Sequence, residues 1–280
     1  MSVSSDRNEF FVRFWGTRGS IACSGPDTVR YGGNTSCIEV MCGDRRLIFD
    51  GGTGLRKLGR EIAKHPDQDT DLFLTHTHLD HIIGLPFFVP FHIPGRNSRV
   101  WAGNLLPDRT LKGTLSDMMQ APLFPVPPET FRANVEFRDF ESGDTLEPCP
   151  GIVLKTAPLN HPNGACGYRI EYAGKSICYI TDTEHYPDRR DETLLDLVAG
   201  TDIMIYDATY TDEEYPRFVG FGHSTWQEAV KVADDASVKT LVLFHHEPTH
   251  DDEMMDEIAE QVDHVRPGSL VAREGMMLRP

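Results

Sequence analysis

The stretch that most constrains this chain is His76-Thr77-His78-Leu79-Asp80-His81, which follows directly on the apolar run DLFLT at 71–75. That run reads as a short buried strand, so the cluster occupies a strand-to-helix loop. Imidazoles favour zinc or a neighbouring transition metal, and a carboxylate beside them tolerates zinc, manganese or iron. One ion cannot easily take every ligand from so short a turn; two ions relieve the crowding. A merely solvated histidine-rich loop is the plain alternative, and the buried strand in front of it argues against that. Further ligands stand at the ends of later apolar strands: His161 after IVLKTAPLN, Asp182 after SICYIT and His245 after TLVLF, with His246 as a rival to His245. Strand ends can converge on one edge of a sheet and hold side chains rigidly.

The 280 residues suit one domain over 1–280 and support a sizeable core. FFVRFW (10–15), SCIEVM (36–41) and RLIFD (46–50) read as strands, followed by a glycine turn and a helix near 55–64. The second half repeats the pattern with GIVLKTAPL (151–159), ACGYRIEY (165–172), KSICYIT (175–181) and TDIMIYDA (201–208), and with helices near 191–199 and after Ser224. Ser224–Gln227 fits a capping box. Met254, Ile258 and Val262 give the last helix an apolar stripe. Proline-rich 86–133 reads as an elaborated loop with one helix near 108–119, a lid, an interface or neither.

Lys plus Arg number 27 against 43 Asp plus Glu, a net charge of −16, which disfavours duplex nucleic acid gripped through many phosphates. No apolar run is long enough to span a bilayer, and MSVSSDRNEF carries no secretory pattern, so the expected place is the cytoplasm. The six cysteines include no CxxC and read as reduced, small core residues.

HTHLDH resembles the HxHxDH signature of the metallo-β-lactamase superfamily, and IFDGGTGL resembles the strand and glycine turn before it. The resemblance implies an α/β fold, a four-layer αββα sandwich with a dinuclear site on one edge. It implies one metal on His76, His78 and His161, a second on Asp80, His81 and His245, and Asp182 between them. Zinc is the expected ion, with manganese or iron as alternatives. Asp50, after RLIFD, is a candidate partner behind a ligand histidine, as is His246. Gly222-His223-Ser224-Thr225, IYDATY and the opening FWGTRGS with YGGNTS resemble the tRNase Z-like phosphodiesterase branch. That likeness implies His223 as general acid paired with Asp207, with Asp80 helping to orient a water activated by the metals for attack on phosphorus.

The tRNA-processing members of that branch carry a long insertion between the third histidine and the bridging aspartate, whereas His161 to Asp182 holds only a turn and two strands. This favours a small cyclic phosphodiester such as a cyclic nucleotide, with no tRNA and no membrane as partner; the resemblance to small-substrate members, commonly dimers, makes a homodimer an open option. Arg18, Arg30, Tyr31, His185, Ser224 and Thr225 are candidate substrate contacts. The rival readings are a lactone or thioester hydrolase on the same metals, and a metal-bearing scaffold without catalysis.

Overall fold

The computed structural model describes residues 9–65 and 69–280. The first half runs β1 (Phe10–Gly16), β2 (Cys37–Cys42), β3 (Arg45–Phe49), α1 (Gly54–Ile62), β4 (Thr70–Leu74), α2 (Leu79–Ile82), β5 (Asn97–Ala102), α3 (Leu111–Met118) and β6 (Asn134–Asp139). The second half runs β7 (Thr145–Cys149), β8 (Ile152–Leu159), β9 (Ala165–Tyr172), β10 (Lys175–Ile180), α4 (Glu192–Val198), β11 (Ile203–Asp207), α5 (Trp226–Asp235), β12 (Thr240–Phe244), α6 (Asp252–Val265), β13 (Leu270–Val271) and β14 (Met277–Leu278).

Two seven-stranded sheets form, ordered β14-β1-β2-β3-β4-β5-β6 and β13-β12-β11-β10-β9-β8-β7. In each, an antiparallel set gives way to a parallel one: β3 through β6 in the first sheet, β10 through β13 in the second. Parallel strands deliver their C-terminal ends to one edge, which is where side chains that follow β3, β4, β10, β11 and β12 can meet. The strand faces explain the layers. On β11, Ile203 and Ile205 enter the core between the sheets, while Met204 and Tyr206 pack under helices α4, α5 and α6. A strand covered on both faces reads as a continuous apolar run, as IMIY does. Between the sheets Phe49 meets Tyr168 at 5.2 Å between ring centres, and Phe14 meets Phe244 at 6.0 Å. On the outer face of the first sheet, Leu55 and Leu58 of α1 and Leu111 and Leu115 of α3 cover Ile48, Leu72 and Val100. Full burial of one such side chain contributes roughly 1.5–3 kcal/mol. Helix, sheet, sheet and helix make the four-layer αββα sandwich.

The structure corrects three sequence readings. Segment 86–133 is not a single loop. NSRVWA is β5, hydrogen-bonded between β4 and β6, with Trp101 in the inter-sheet core and Val100 under the helices. Only its last three residues are apolar, and Arg99 masks the pattern by bonding Asp71 at 2.6 Å. The cap of α5 is Thr225, whose hydroxyl accepts from the Glu228 amide at 3.1 Å; Ser224 turns elsewhere. In α6 the buried stripe is Met255, Ile258 and Val262, with Met254 at its partly buried margin. All six cysteines are free thiols, five of them buried. No described helix is long and apolar enough to cross a membrane. The first eight residues of the stretch MSVSSDRNEF lie outside the described residues.

Candidate metal centre

The loop after β4 and the short helix α2 present His76, His78, Asp80 and His81 at the common strand edge. Asp182 and His245 arrive from the ends of β10 and β12, and His161 from the turn after β8. Asp50, Asp182 and His245, each just past a strand, have φ of 61°, 58° and 61°. Left-handed backbone is uncommon outside glycine, though Asn, Asp and His adopt it more readily than other residues. Held there, the three side chains turn sharply inward, and such backbone clusters at functional sites.

Among the described residues four groups of ligand-type atoms lie within 4.8 Å of one another: His76, His78 and His161; Asp80, His81, Asp182 and His245; and two that overlap these through His223, one with His161 and Asp182 and one with Asp207 and His245. Asp182 faces both of the first two. Its Oδ1 lies 3.8 Å from His76 Nε2, 3.9 Å from His161 Nε2 and 3.4 Å from His245 Nε2, and its Oδ2 lies 3.2 Å from His81 Nε2. Asp80 Oδ2 stands 3.2 Å from His81 Nε2 and 3.3 Å from His245 Nε2, and accepts from the Ser20 amide at 2.9 Å.

The outer ring nitrogens are held from behind. His81 Nδ1 meets Asp50 Oδ2 at 2.8 Å, His161 Nδ1 the Gly222 carbonyl at 2.8 Å, His76 Nδ1 the Thr75 hydroxyl at 3.1 Å and His245 Nδ1 the Thr209 hydroxyl at 3.1 Å. Asp50 is itself fixed by the Thr75 amide and the Tyr179 hydroxyl, at 2.8 and 2.9 Å. Inward, Nε2 of His76 and of His81 are buried with no contact of hydrogen-bond geometry. Buried polar atoms are seldom left so. Histidines tied at one nitrogen and bare at the other are what a metal site requires, so the residues present fit divalent ions.

The electrostatics agree with that fit. Burial, and then the neighbouring His81, holds His76 well below the usual histidine range, and burial likewise depresses His78 and His161. Neutral imidazoles are ready to ligate. Burial opposes charge on Asp182 and Asp80, yet the facing imidazoles outweigh it and both carboxyls stay ionised. His81 is the opposite case: burial disfavours its proton, but Asp182, Asp80 and Asp50 raise it well above the ordinary value. Next to this centre His223, 8% exposed, places Nδ1 2.9 Å from Asp207 Oδ2. Burial works against its charge and Asp207 overrides it, lifting the imidazole to about 9. The helix N-terminus that follows His223 is outweighed by this carboxylate.

Several expected roles are corrected. Arg18 is fully buried, donating to the carbonyls of Gly32, Glu247 and His250, and Tyr31 is fully buried with its hydroxyl on Asp256. Arg30 pairs with Asp252 and Asp256 of α6. Ser224 and Thr225 are also fully buried, Ser224 bonded to His185 Nδ1 at 2.9 Å and Thr225 to Asp212 at 2.7 Å. Arg18, Tyr31, Ser224 and Thr225 are thus closed off from a substrate, Arg30 is exposed but engaged with α6, and His185 stays half-buried at the rim beside Tyr215. His246 faces away from the ligands, its Nε2 on the Ala272 carbonyl at 2.8 Å and its ring edge-on to Tyr31, whereas His245 enters the cluster. Sequence reasoning missed Ser20, Thr75, Tyr179 and Thr209, which act through a backbone amide or a hydroxyl that leaves no motif. It also missed Glu184, two residues past Asp182, where an acid in TDTE was the available sign.

A four-layer sandwich with histidines and aspartates gathered on one edge defines a metallo-β-lactamase-fold hydrolase. A family profile described as "Beta-lactamase superfamily domain" matches residues 45–246, and the chain belongs to that superfamily. Relatives named Ribonuclease Z include those of Methanopyrus kandleri, 29% identical over 97% of this chain and 98% of theirs, and of Archaeoglobus fulgidus, 23% identical over 96% and 97%. A third, from Parabacteroides distasonis, is 29% identical, but there the match spans 46% of this chain and 37% of the relative. Among solved structures, a diphosphatase of the PhnP family (TM-score 0.69, 19% identity, 97% of this chain and 98% of that one) and the short form of human tRNase Z (0.66, 20%, 96% and 98%) share the fold. The Ribonuclease Z relatives, aligned along nearly the whole chain, overturn the expectation of a small-molecule substrate with no tRNA partner and point to RNA.

Proposed function

We propose that this hydrolase cleaves phosphodiesters, with RNA as the substrate class, using two divalent ions, zinc in preference to manganese or iron. His76, His78 and His161 would hold one ion, Asp80, His81 and His245 the other, with Asp182 shared. The carrying observation is the pair of buried, unpartnered Nε2 atoms of His76 and His81, whose Nδ1 atoms are tied from behind, facing the buried Asp182 carboxylate that His161 and His245 also face. Bound ions of this kind supply an activated water and neutralise phosphate charge. The chain's own groups do the rest. His223, bonded to Asp207 through Nδ1, keeps Nε2 for the leaving oxygen and would hand it a proton. Asp80, pinned by the Ser20 amide, is placed to orient the attacking water.

The net charge of −16 opposes RNA binding as a total, but its distribution is uneven. Arg56, Lys57, Arg60 and Lys64 border a groove of about 760 Å³ beside α1, together with Asn34 and Thr53. Glu61 shares the groove, pairing with Lys64 and lying within Coulombic reach of Arg60, while Arg56 forms no ion pair with any described residue. The helix begins directly behind the metal loop, where the Gly51 amide donates to the His81 carbonyl at 2.6 Å. A local stripe of cations can track a phosphate backbone while the remaining surface repels it. Free thiols suit a reducing compartment, and we assign the chain to the cytoplasm.

The test is turnover by zinc- and manganese-loaded protein of a tRNA precursor with a 3′ extension, bis-p-nitrophenyl phosphate, a cyclic nucleotide, a lactone and a thioester. Cleavage of the RNA and of the nitrophenyl diester is expected. Hydrolysis of the cyclic nucleotide without the RNA would overturn the substrate class, and hydrolysis of only the lactone or thioester would overturn the chemistry.

A further inference from the structure

Glu184 is a buried acid, 9% exposed, that forms no ion pair with any described residue. Its Oε1 accepts from the Tyr215 hydroxyl at 2.7 Å and the Gly220 amide at 2.8 Å; its Oε2 accepts from Gly220 at 3.0 Å and from the Gly222 amide at 2.9 Å. Its backbone is tied as firmly, since its amide donates to the Asn160 carbonyl at 2.8 Å and the Asn160 side-chain amide donates to its own carbonyl at 2.8 Å. One residue therefore binds together the segment that carries His161, the segment that carries Asp182 and the turn that leads into His223.

The junction is Gly222. Its amide is fixed on Glu184, and its carbonyl receives His161 Nδ1 at 2.8 Å. Its φ is 89°, and a Cβ there would stand 2.2 Å from His161 Nδ1. The histidine ring thus rests on a bare peptide that only glycine leaves free, and the carboxylate holds that peptide in place. The Gly220 and Gly222 amides can only donate and between them reach both oxygens, so a side chain with an amide nitrogen would set donor against donor at one glycine or the other, whatever the Tyr215 hydroxyl does.

We infer that Glu184 is a positioning residue, a carboxylate clamp on the Tyr215–Gly222 turn that aims His161 at the metal centre and His223 at the scissile bond. This rests on the roles proposed above for those two histidines. It makes Glu184 a determinant above all of the metal position that includes His161, because His81 and His245 take their own hydrogen bonds from Asp50 and Thr209 and not from the Tyr215–Gly222 turn.

The experiment is zinc titration of the metal-stripped full chain by calorimetry, for the parent protein, Glu184→Gln and Gly222→Ala, with kcat and KM on bis-p-nitrophenyl phosphate at saturating zinc. In Glu184→Gln the weaker zinc step should lose affinity by about 10- to 100-fold, the range for outer partners of metal ligands, while the tighter step holds. The value of kcat should fall and stay low when zinc is in excess, because His223 remains displaced. A residue that only stabilises the fold would lower the melting temperature and leave the ratio of the two zinc affinities and kcat at saturation unchanged; that result overturns the inference. Should Glu184→Gln not fold, Gly222→Ala breaks the same link from the other side, and an unaltered weaker step in that variant overturns it equally. If the parent protein binds two zinc ions but turns over no diester, the proposed function fails while the zinc isotherms still decide on the clamp.

Discussion

The two halves of the metal centre are built differently. Asp80, His81, Asp182 and His245 form the deep half: both histidines are wholly buried, and Asp50 and Thr209, which brace them, are buried too. His76, His78 and His161 form the outer half, where His78 is half-buried and His161 leans on the carbonyl of a turn. A carboxylate on the far side of a histidine fixes its tautomer and raises its basicity more than a loop carbonyl does. The deep half is therefore a rigid seat, and the outer half takes its precision from a segment that also carries His223, the proposed proton donor. On the proposed assignment, one half would retain an ion and the other would couple an ion to the chemistry.

The comparison breaks most completely at Asp182, which belongs to both halves. Asp182→Ala should abolish paired binding in a zinc titration and lower kcat/KM on bis-p-nitrophenyl phosphate beyond the about 10²–10³-fold lost with a single electrostatic contact. His223→Ala should leave two zinc ions in place by elemental analysis while costing about 10²-fold in kcat on RNA, where the leaving oxygen needs a proton. With p-nitrophenolate leaving, the loss should shrink; an equal loss on both substrates would remove the general-acid role. Asp50→Asn should weaken the tighter zinc step by about 10- to 100-fold and spare the weaker one, the mirror image of the Glu184 variants.

The smallest effect is a shift along the pH axis. Asp207 raises His223 to about 9, so its proton is retained through neutral pH and released as pH climbs through that value. In the metal-free protein the same interaction stabilises the fold fully below the unfolded histidine value of about 6.5, and this contribution disappears as pH rises through the folded one. Asp207→Asn should move the alkaline limb of the kcat profile to lower pH, and an unmoved limb would assign that limb to another group.

The ligands were legible because each stands where a readable strand stops. HTHLDH follows DLFLT without a gap, and Asp182 and His245 each end an apolar run that could be nothing but a buried strand. The branch was legible at Asp207, which closes β11, and at His223 through the GHST motif in the loop ahead of α5. What could not be read joins distant segments through atoms every residue possesses: the Ser20 amide on Asp80, the Gly222 carbonyl on His161, the Gly220 and Gly222 amides on Glu184. Arg18 and Tyr31 misled in the other direction, since a polar side chain near a glycine-rich opening looks available for substrate until the fold closes over it. Strand β5 stayed hidden because only Val100, Trp101 and Ala102 show its character, and the small-substrate reading leaned on the short span from His161 to Asp182 and on total charge, against which the full-length Ribonuclease Z relatives stand.

The left-handed backbone at Asp50 and Asp182 also narrows which acids can stand there. Aspartate takes that conformation more comfortably than most residues, and its short arm reaches the neighbouring imidazole without a further torsion to freeze. Glutamate would meet a less hospitable peptide geometry and overshoot by a methylene. At these corners the two acidic amino acids are not synonyms, and a library that exchanges one for the other should recover active clones at surface acids such as Glu253 far more often than at either corner.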